Sequence, residues 1–444
     1  MTGNVNSSQK LDRVLGPLML WGLGVGYVIS GMYFGWNLGL PAGGTAGLAI
    51  ATFFIIILYV TFTFSYTELA CAIPKAGGAF DYADRALGPT WGFVGGLVQI
   101  IEFVFAPPAI AAAIGAYFHL FFPGLPVLGI AIIAYFIFTA LNIYGVKAAA
   151  AFELGITIFA VVELLIFAGV TLPHFQWSSL VQNSYPHGFR GVLAAIPFAI
   201  WFFLGIEGVA NVAEETINPQ KNVLLGFGSA LFTLVILCVL TFVAAIGVGG
   251  WESIVYPAPG ASPSDSPLPL ALAQIVGQNN FFYHLLVTIG LFGLIASFHG
   301  IILAAGRATF EFGRVGYAPR FLGKTSRFKT PALALLANMV IGIAALLTGK
   351  TAEIITLACF GALSLYIISM VALFRLRKRE PALARPFRVP GYPYSPLIAF
   401  AIATFSLLAM IAYNHLLAFL YFAFVGISVV GFRKFVLRSK KGLQ

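Results

Sequence analysis

The chain has 444 residues, of which 60% are hydrophobic and only 9% charged. Soluble domains carry about 25% charged residues, so this composition excludes a soluble globular protein, and apolar runs of about 20 residues recur along the length, each long enough to cross a bilayer as a helix. The net charge of +10 does not point to nucleic acid, because the basic residues sit in the connections between apolar runs rather than in one patch.

In chain order, the first nine residues are polar and read as unstructured. Apolar spans are expected at 14–41, 44–70, 90–121, 124–143, 152–172, 191–213, 223–248, 281–306, 331–348, 352–375, 393–412 and 415–433. That makes an all-α polytopic membrane protein with twelve transmembrane helices. The first run lacks a small-residue cleavage site and is followed by many others, so it reads as a retained span. An even count puts both termini on one side. On that side fall all 25 Lys and Arg residues except Arg190 and Lys350, and the positive-inside rule makes it the cytoplasm. The expected location is the cell (inner) membrane.

Span one contains GLGVG (22–26). No strand precedes it, so it reads as close helix packing rather than a nucleotide loop. A glycine-containing interruption follows at Ile29-Ser30-Gly31-Met32, with Tyr33 and Trp36 beside it. The connector 75–92 is amphipathic and ends in Gly-Pro; 307–323 is a similar connector ending in Ala-Pro. In span three, Glu102 precedes Pro107 and Pro108. Prolines inside a helix free carbonyls one turn earlier, and free carbonyls beside a carboxylate suit a cation or ammonium. Four carboxylates inside spans draw functional attention: Glu102, Glu153, Glu163 and Glu207. Glu153 lies near a span end, where it can snorkel to water. Glu163 lies ten residues deeper with no basic residue at its depth, which suits a carrier of a coupling proton.

The stretch 191–222 organises the rest. Gly205, Glu207 and Gly208 interrupt an apolar span before the polar exit at Asn218–Pro219. A carboxylate in mid-membrane costs roughly 2.5–3.5 kcal/mol to insert, and unwound backbone is tolerated at that depth only where it lines protein or water. Trp201, Phe202 and Phe203 stand close to Glu207, where rings can hold an ammonium group. The loop 249–280 is the longest on the outer side; its start reads as coil and its Leu-Ala-Leu-Ala end as a short helix, an outer lid. Cys71, Cys238 and Cys359 fall in or at the ends of apolar runs, and the six histidines are scattered. Neither set has metal-ligand spacing, so no metal and no other cofactor is expected, and no nucleophile–base cluster points to an enzyme.

Three stretches carry a resemblance. IWFFLGIEGVANVAEETINPQKN (200–222), SYTELACAIPKAGGAFDYADRALGP (65–89) and SFHGIILAAGRATFEFGRVGYAPRFLGK (297–324) resemble the sixth-span exit, second-span connector and eighth-span exit of the amino acid–polyamine–organocation superfamily. The resemblance implies a LeuT-like 5+5 inverted repeat with spans one and six broken. Residues 14–172 would form the first repeat, 191–375 the second, and 393–433 two added spans. It implies substrate contacts at Ser30, Gly31, Met32 and Tyr33 of span one, Glu102 and Pro107 of span three, Trp201, Phe202, Gly205 and Glu207 of span six, and His299 of span eight. SGMYFGWNLGLPAGG (30–44) and EFVFAPPAIAAAIGAY (102–117) look most like the ethanolamine permease branch. Amino-acid carriers commonly have Gly-Ser-Gly in span one to hold a carboxylate; Ile29-Ser30-Gly31-Met32-Tyr33 is a poorer anion nest. Some proton-coupled members carry a lysine in span five; none lies in 152–172, which leaves Glu163, with Glu207, as the proton-coupling candidates.

The expected function is secondary, proton-coupled uptake of a small organic cation, ethanolamine first, by alternating access. The partners are the substrate, protons and the lipid bilayer. An amino-acid permease or exchanger is the alternative within transport, and a transporter-like receptor without net flux the alternative from another class.

Overall fold

The structure is a computed structural model that describes residues 13–75, 77–144 and 147–437. The polar first nine residues, Lys10, the side chain of Lys147 and the basic residues after 437 lie outside what is described. Among the described residues there is no strand, only an isolated bridge between Leu15 and Thr216.

The helices are α1 (Pro17–Val28), α2 (Ser30–Tyr33), α3 (Leu40–Ala72), α4 (Ala79–Leu87), α5 (Pro89–Phe121), α6 (Val127–Tyr144), α7 (Lys147–Thr171), α8 (Trp177–Val181) and α9 (Gly188–Trp201). They continue with α10 (Pro219–Gly249), α11 (Trp251–Val255), α12 (Pro267–Val276), α13 (Phe281–Arg314), α14 (Ala332–Leu346), α15 (Thr351–Arg379), α16 (Tyr394–Tyr413) and α17 (His415–Gly431).

Among the described residues, ten helical stretches are long and apolar enough to cross a membrane. The expected spans at 14–41 and 331–348 correspond to shorter pieces, Pro17–Tyr33 and Ala332–Leu346. The first is short because the chain leaves helical geometry at Phe34 and Gly35. The second has 15 residues, about 22 Å at the rise of a helix, less than the roughly 30 Å of hydrocarbon.

The stretch Gly188–Glu215, α5, α13 and α15 are mostly buried and form the centre, whereas α16 and α17 are mostly exposed and lie at the periphery. Both described chain ends meet the same face. Leu15 bridges to Thr216, Arg307 pairs with Glu215, and Phe432 stacks on Phe93 in a cluster with Phe80 and Phe312. We call this the inner face. There, Glu68 at the end of α3 accepts both forks of Arg377 (2.9 and 2.6 Å) and the Val389 amide (2.8 Å), with Arg385 at 3.3 Å.

Two local readings change. The connectors are not alike: 75–92 contains the separate helix α4, whereas 307–323 is the end of α13 followed by a short 3-10 turn at Arg320–Gly323. The loop 249–280 does not begin as coil. Gly250, with φ of 84°, ends α10 and turns the chain into α11, whose Trp251 is buried and donates to the Asn183 carbonyl.

Candidate functional site

Two interrupted helices cross at the centre. In the first, the ladder step from Ser30 N–H to Gly26 C=O is occupied by a hydroxyl: Ser30 donates to Ser297 Oγ (2.9 Å), which donates to Gly26 O (2.6 Å). Helical geometry resumes through α2 and then fails at extended Phe34 and at Gly35, with φ of 88°. The interruption expected at 29–32 is thus a one-step kink, and the full exit comes at 34–35. In the second, Phe202 to Gly205 form a turn closed by left-handed Gly205 (φ 94°), and Ile206–Glu215 continues as a ten-residue 3-10 helix. Runs of that helix beyond 3–4 residues are uncommon and mark strain or a hinge.

The two breaks hold each other. A Cβ on Gly31 would stand 2.5 Å from the Trp201 carbonyl, so only glycine fits this approach. Trp201 Nε1 donates to Phe34 O (3.0 Å), its ring meets Phe34 edge-on, and Phe202 stacks on Trp36. Trp201 and Phe202 therefore seal the first break rather than forming a platform for Glu207. Met32 is buried and its carbonyl accepts from Trp36 Nε1. The Tyr27 ring lies between Gly208 and Gly300, where no side chain could stand.

Glu207, in the first turn after the break, faces Glu102 of α5, and both are fully buried. Tyr366 donates to Glu207 Oε2 (3.1 Å) and exchanges a hydrogen bond with Tyr59 (2.9 Å), whose ring packs on Phe203. Glu207 Oε1 and both oxygens of Glu102 make no well-formed hydrogen bond among the described residues, although the Gly205 N–H at the break lies toward Glu102. Two facing carboxylates repel unless a proton or another cation sits between them. Gly361 of α15 rides directly on the Glu102 backbone, an approach that leaves no room for a side chain. Tyr59 and Tyr366 went unnoticed in the sequence, where nothing distinguishes them among 17 tyrosines.

The other candidates separate from this pair. Pro107 lies in an unbroken α5 and lines a small crevice with Tyr135, Thr139 and Asn338, away from Glu207. Five residues along a helix turn the side chain roughly 140° from Glu102. Glu163 lies beside Tyr33, whose hydroxyl donates to Ala160 O (2.9 Å) and whose carbonyl accepts from Tyr117 (3.2 Å). Glu163 Oε2 has no donor among the described residues. His299 does not reach the Glu102–Glu207 pair. Its Nδ1 lies 3.1 Å from Glu153 Oε2, and Glu153, expected to snorkel, is buried there.

Hydrogen bonds tie the chain together at both faces. On the inner face, Val14 and Leu15 donate to Glu215 O and Ile217 donates to Leu15 O, with Arg307 2.9 Å from Glu215. On the outer face, Asn37 donates to Ser264 O (2.8 Å) and Thr351 to Asp265 (3.1 Å). Burial pushes the Asp265 carboxyl up to about 6, against the smaller opposing effect of the Thr351 hydrogen bond.

A family model described as amino acid permease matches residues 15–431. An uncharacterized transporter of Rhizobium meliloti is 28% identical over 399 residues, covering 87% of this chain and 84% of the relative. A branched-chain amino acid permease of Bacillus subtilis is 28% identical over 433 residues, covering 91% and 89%. A methylthioribose transporter of the same organism is 27% identical over 423 residues, covering 89% and 87%.

Proposed function

The chain belongs to the amino acid permease family, and we propose that it is a proton-coupled importer of a small organic cation, ethanolamine first, working by alternating access. That it is a multi-pass membrane transporter follows from the family and the ten apolar helices. The finer reading rests on one observation: Glu102 and Glu207 face each other, fully buried, with three of their four oxygens making no well-formed hydrogen bond among the described residues. An ammonium group has three donors and one positive charge, which is what this pair lacks.

The first break adds to this reading. A substrate carboxylate would need free N–H groups, but Ser30 N–H is taken by Ser297 and Gly35 N–H by Asn37 Oδ1 (3.0 Å). The Trp201 carbonyl stands over Gly31, adding negative rather than positive potential. In the cycle we envisage, the outer lid admits the amine to the carboxyl pair, and Trp201 closes on the first break. The contact between 14–15 and 215–217 then parts toward the cytoplasm. Glu163, touching Tyr33 at the break, carries the coupling proton. Twelve spans, a 5+5 inverted repeat and cytoplasmic termini complete the proposal.

The alternative is an amino acid substrate, favoured by the relative named a branched-chain amino acid permease. Counterflow of labelled ethanolamine in liposomes, competed with amines and amino acids, separates the two. Competition by ethanolamine and other small amino alcohols but not by alanine supports the proposal; equal competition by alanine overturns it.

A further inference from the structure

Apart from the carboxyl pair, Glu163 and the Glu68 cluster, the described residues hold a buried contact between a carboxylate and an imidazole. Glu153 on α7 and His299 on α13 meet at 3.1 Å, their side chains 2% and 5% exposed. Phe138 and Phe152 wall the imidazole. The second Glu153 oxygen, Oε1, has no donor among the described residues. It lies in the crevice between two glycines, where a Cβ on Gly26 would stand 2.6 Å away and one on Gly300 3.0 Å away. Next to it, Thr157 donates to Gly22 O (3.3 Å), and Leu154 fills the space over Gly22. The pair is therefore built into the seam where α1, the inner half of the first broken helix, rests on α7 and α13.

The groups that face it are few. α1 contributes Tyr27, whose ring covers Gly300. α6 contributes the Asn142 amide, which reaches the His299 carbonyl (3.3 Å). Toward the inner gate, Arg307 and Glu215 act on the same Tyr27 but are bonded to each other. Among the described residues, His299 is the cationic partner of Glu153. With the imidazole protonated, the two form a charge-assisted contact that compensates the buried carboxylate. With it neutral, a buried charge stands without compensation, which costs several kcal/mol. Water relieves that penalty, and it would reach Glu153 Oε1 when α1, carrying Gly26, moves away from α7 and from Gly300 of α13.

We propose that Glu153 and His299 form a proton-binding site that holds the inner half of the first broken helix closed, and that release of its proton opens the inner gate. By linkage, a closed gate binds this proton more tightly than an open one. The site is separate from the substrate pair, and it lies ten residues from Glu163 along α7, about 15 Å.

The test uses the full chain in liposomes with Leu15→Cys as reporter, since Leu15 is buried in the closed gate. A thiol reagent is applied at the inner face from about pH 5 to about pH 8, the range in which histidine changes charge. Protein without the reporter controls for the three buried native cysteines. Divided at each pH by the labelling of the same reporter in unfolded protein, which removes the rise in reactive thiolate, labelling should increase with pH by up to about tenfold per pH unit where one proton is lost. His299→Gln, which leaves the carboxylate alone, should label fast at every pH. Glu153→Gln, which removes the charge, should label slowly at every pH, and the double variant should follow Glu153→Gln. A merely structural contact would loosen in both single variants alike. That result, a flat profile in the parent, or an unchanged profile in the variants overturns the proposal. Where His299→Gln does not fold, Glu153→Gln alone decides: slow, pH-independent labelling supports the site, and the parent's pH dependence refutes it.

Discussion

Replacing Glu102 by Gln removes one carboxylate and leaves its shape. Neither Glu102 oxygen makes a well-formed hydrogen bond among the described residues, whereas Glu207 already accepts from Tyr366. An ammonium arriving at the pair therefore finds more unused acceptor capacity on Glu102. A hydrogen bond to a charged group contributes about 1.5–3 kcal/mol, and truncating one side of a buried charged pair costs about 2–5 kcal/mol. Because Glu207 remains, the lower range applies: ethanolamine affinity should fall about 10- to 150-fold. The fold should not suffer, since the new amide can donate to Glu207 where the carboxylate could not. Thermal stability should hold or rise while binding falls, a pairing that distinguishes lost recognition from misfolding. Calorimetry on folded, detergent-purified protein measures the first and a thermal melt the second. An unchanged dissociation constant would remove Glu102 from the site and leave Glu207 as the sole candidate.

Glu163→Gln should abolish pH-driven accumulation in liposomes and spare counterflow, which needs no net proton movement; surviving accumulation would move the proton path to Glu207 or the Glu153–His299 pair. Asp265 in the outer loop holds its proton up to about 6, more tightly than it would in an opened loop. Loop closure is therefore favoured in acid and weakens as pH rises from the ordinary aspartate range to about 6, with no change above. Hydrogen exchange of residues 256–266, corrected for its intrinsic pH dependence, should show that slope, and Asp265→Asn should flatten it. Glu68→Gln leaves Arg377 and Arg385 without their shared anion and should destabilise the protein by about 3–5 kcal/mol; a melting temperature equal to the parent's would refute this. Cysteines placed in 256–264 should react with impermeant reagents from outside whole cells, and those in 381–388 only after permeabilisation; the reverse would overturn the topology.

The helices were legible in the sequence because each is a local property: a run of apolar residues ended by Gly, Pro or charge. The break at Gly205 was legible for the same reason, since a glycine beside a carboxylate is a signal carried by neighbours in the chain. Partnerships across the bundle were not. His299 looked like a substrate contact because its helix was expected at the site, but its rotation about that helix turns it to Glu153. Pro107, five residues from Glu102, likewise sits on another face of α5, beside Tyr135 and Asn338. Trp201 and Phe202 are close to Glu207 in sequence, yet the turn at 202–205 sends them to the first break. Glu68 had a legible signal, a carboxylate inside the expected span 44–70, but its arginines lie more than 300 positions away in the sequence.

Glycine contacts say which pieces can move. α1 meets its neighbours through Gly22, Gly24 and Gly26, set against Leu154, Ala230, Val209 and Glu153. These are smooth seams, with few side chains that would have to unlock. At its lower end, α1 is tied by three backbone hydrogen bonds to 215–217, bonds that water can replace. α5, by contrast, is fixed along its length by α15, where Gly361 sits on its backbone. The carboxyl pair has one member on each kind of element: Glu102 on the fixed helix and Glu207 just past the left-handed turn. On the proposed function, a cation between them would join the fixed part to the hinged part, and its departure would free the hinge. Binding and gating would then act on the same few atoms, while the Glu153–His299 contact reaches α1 along its seam with α7 and α13.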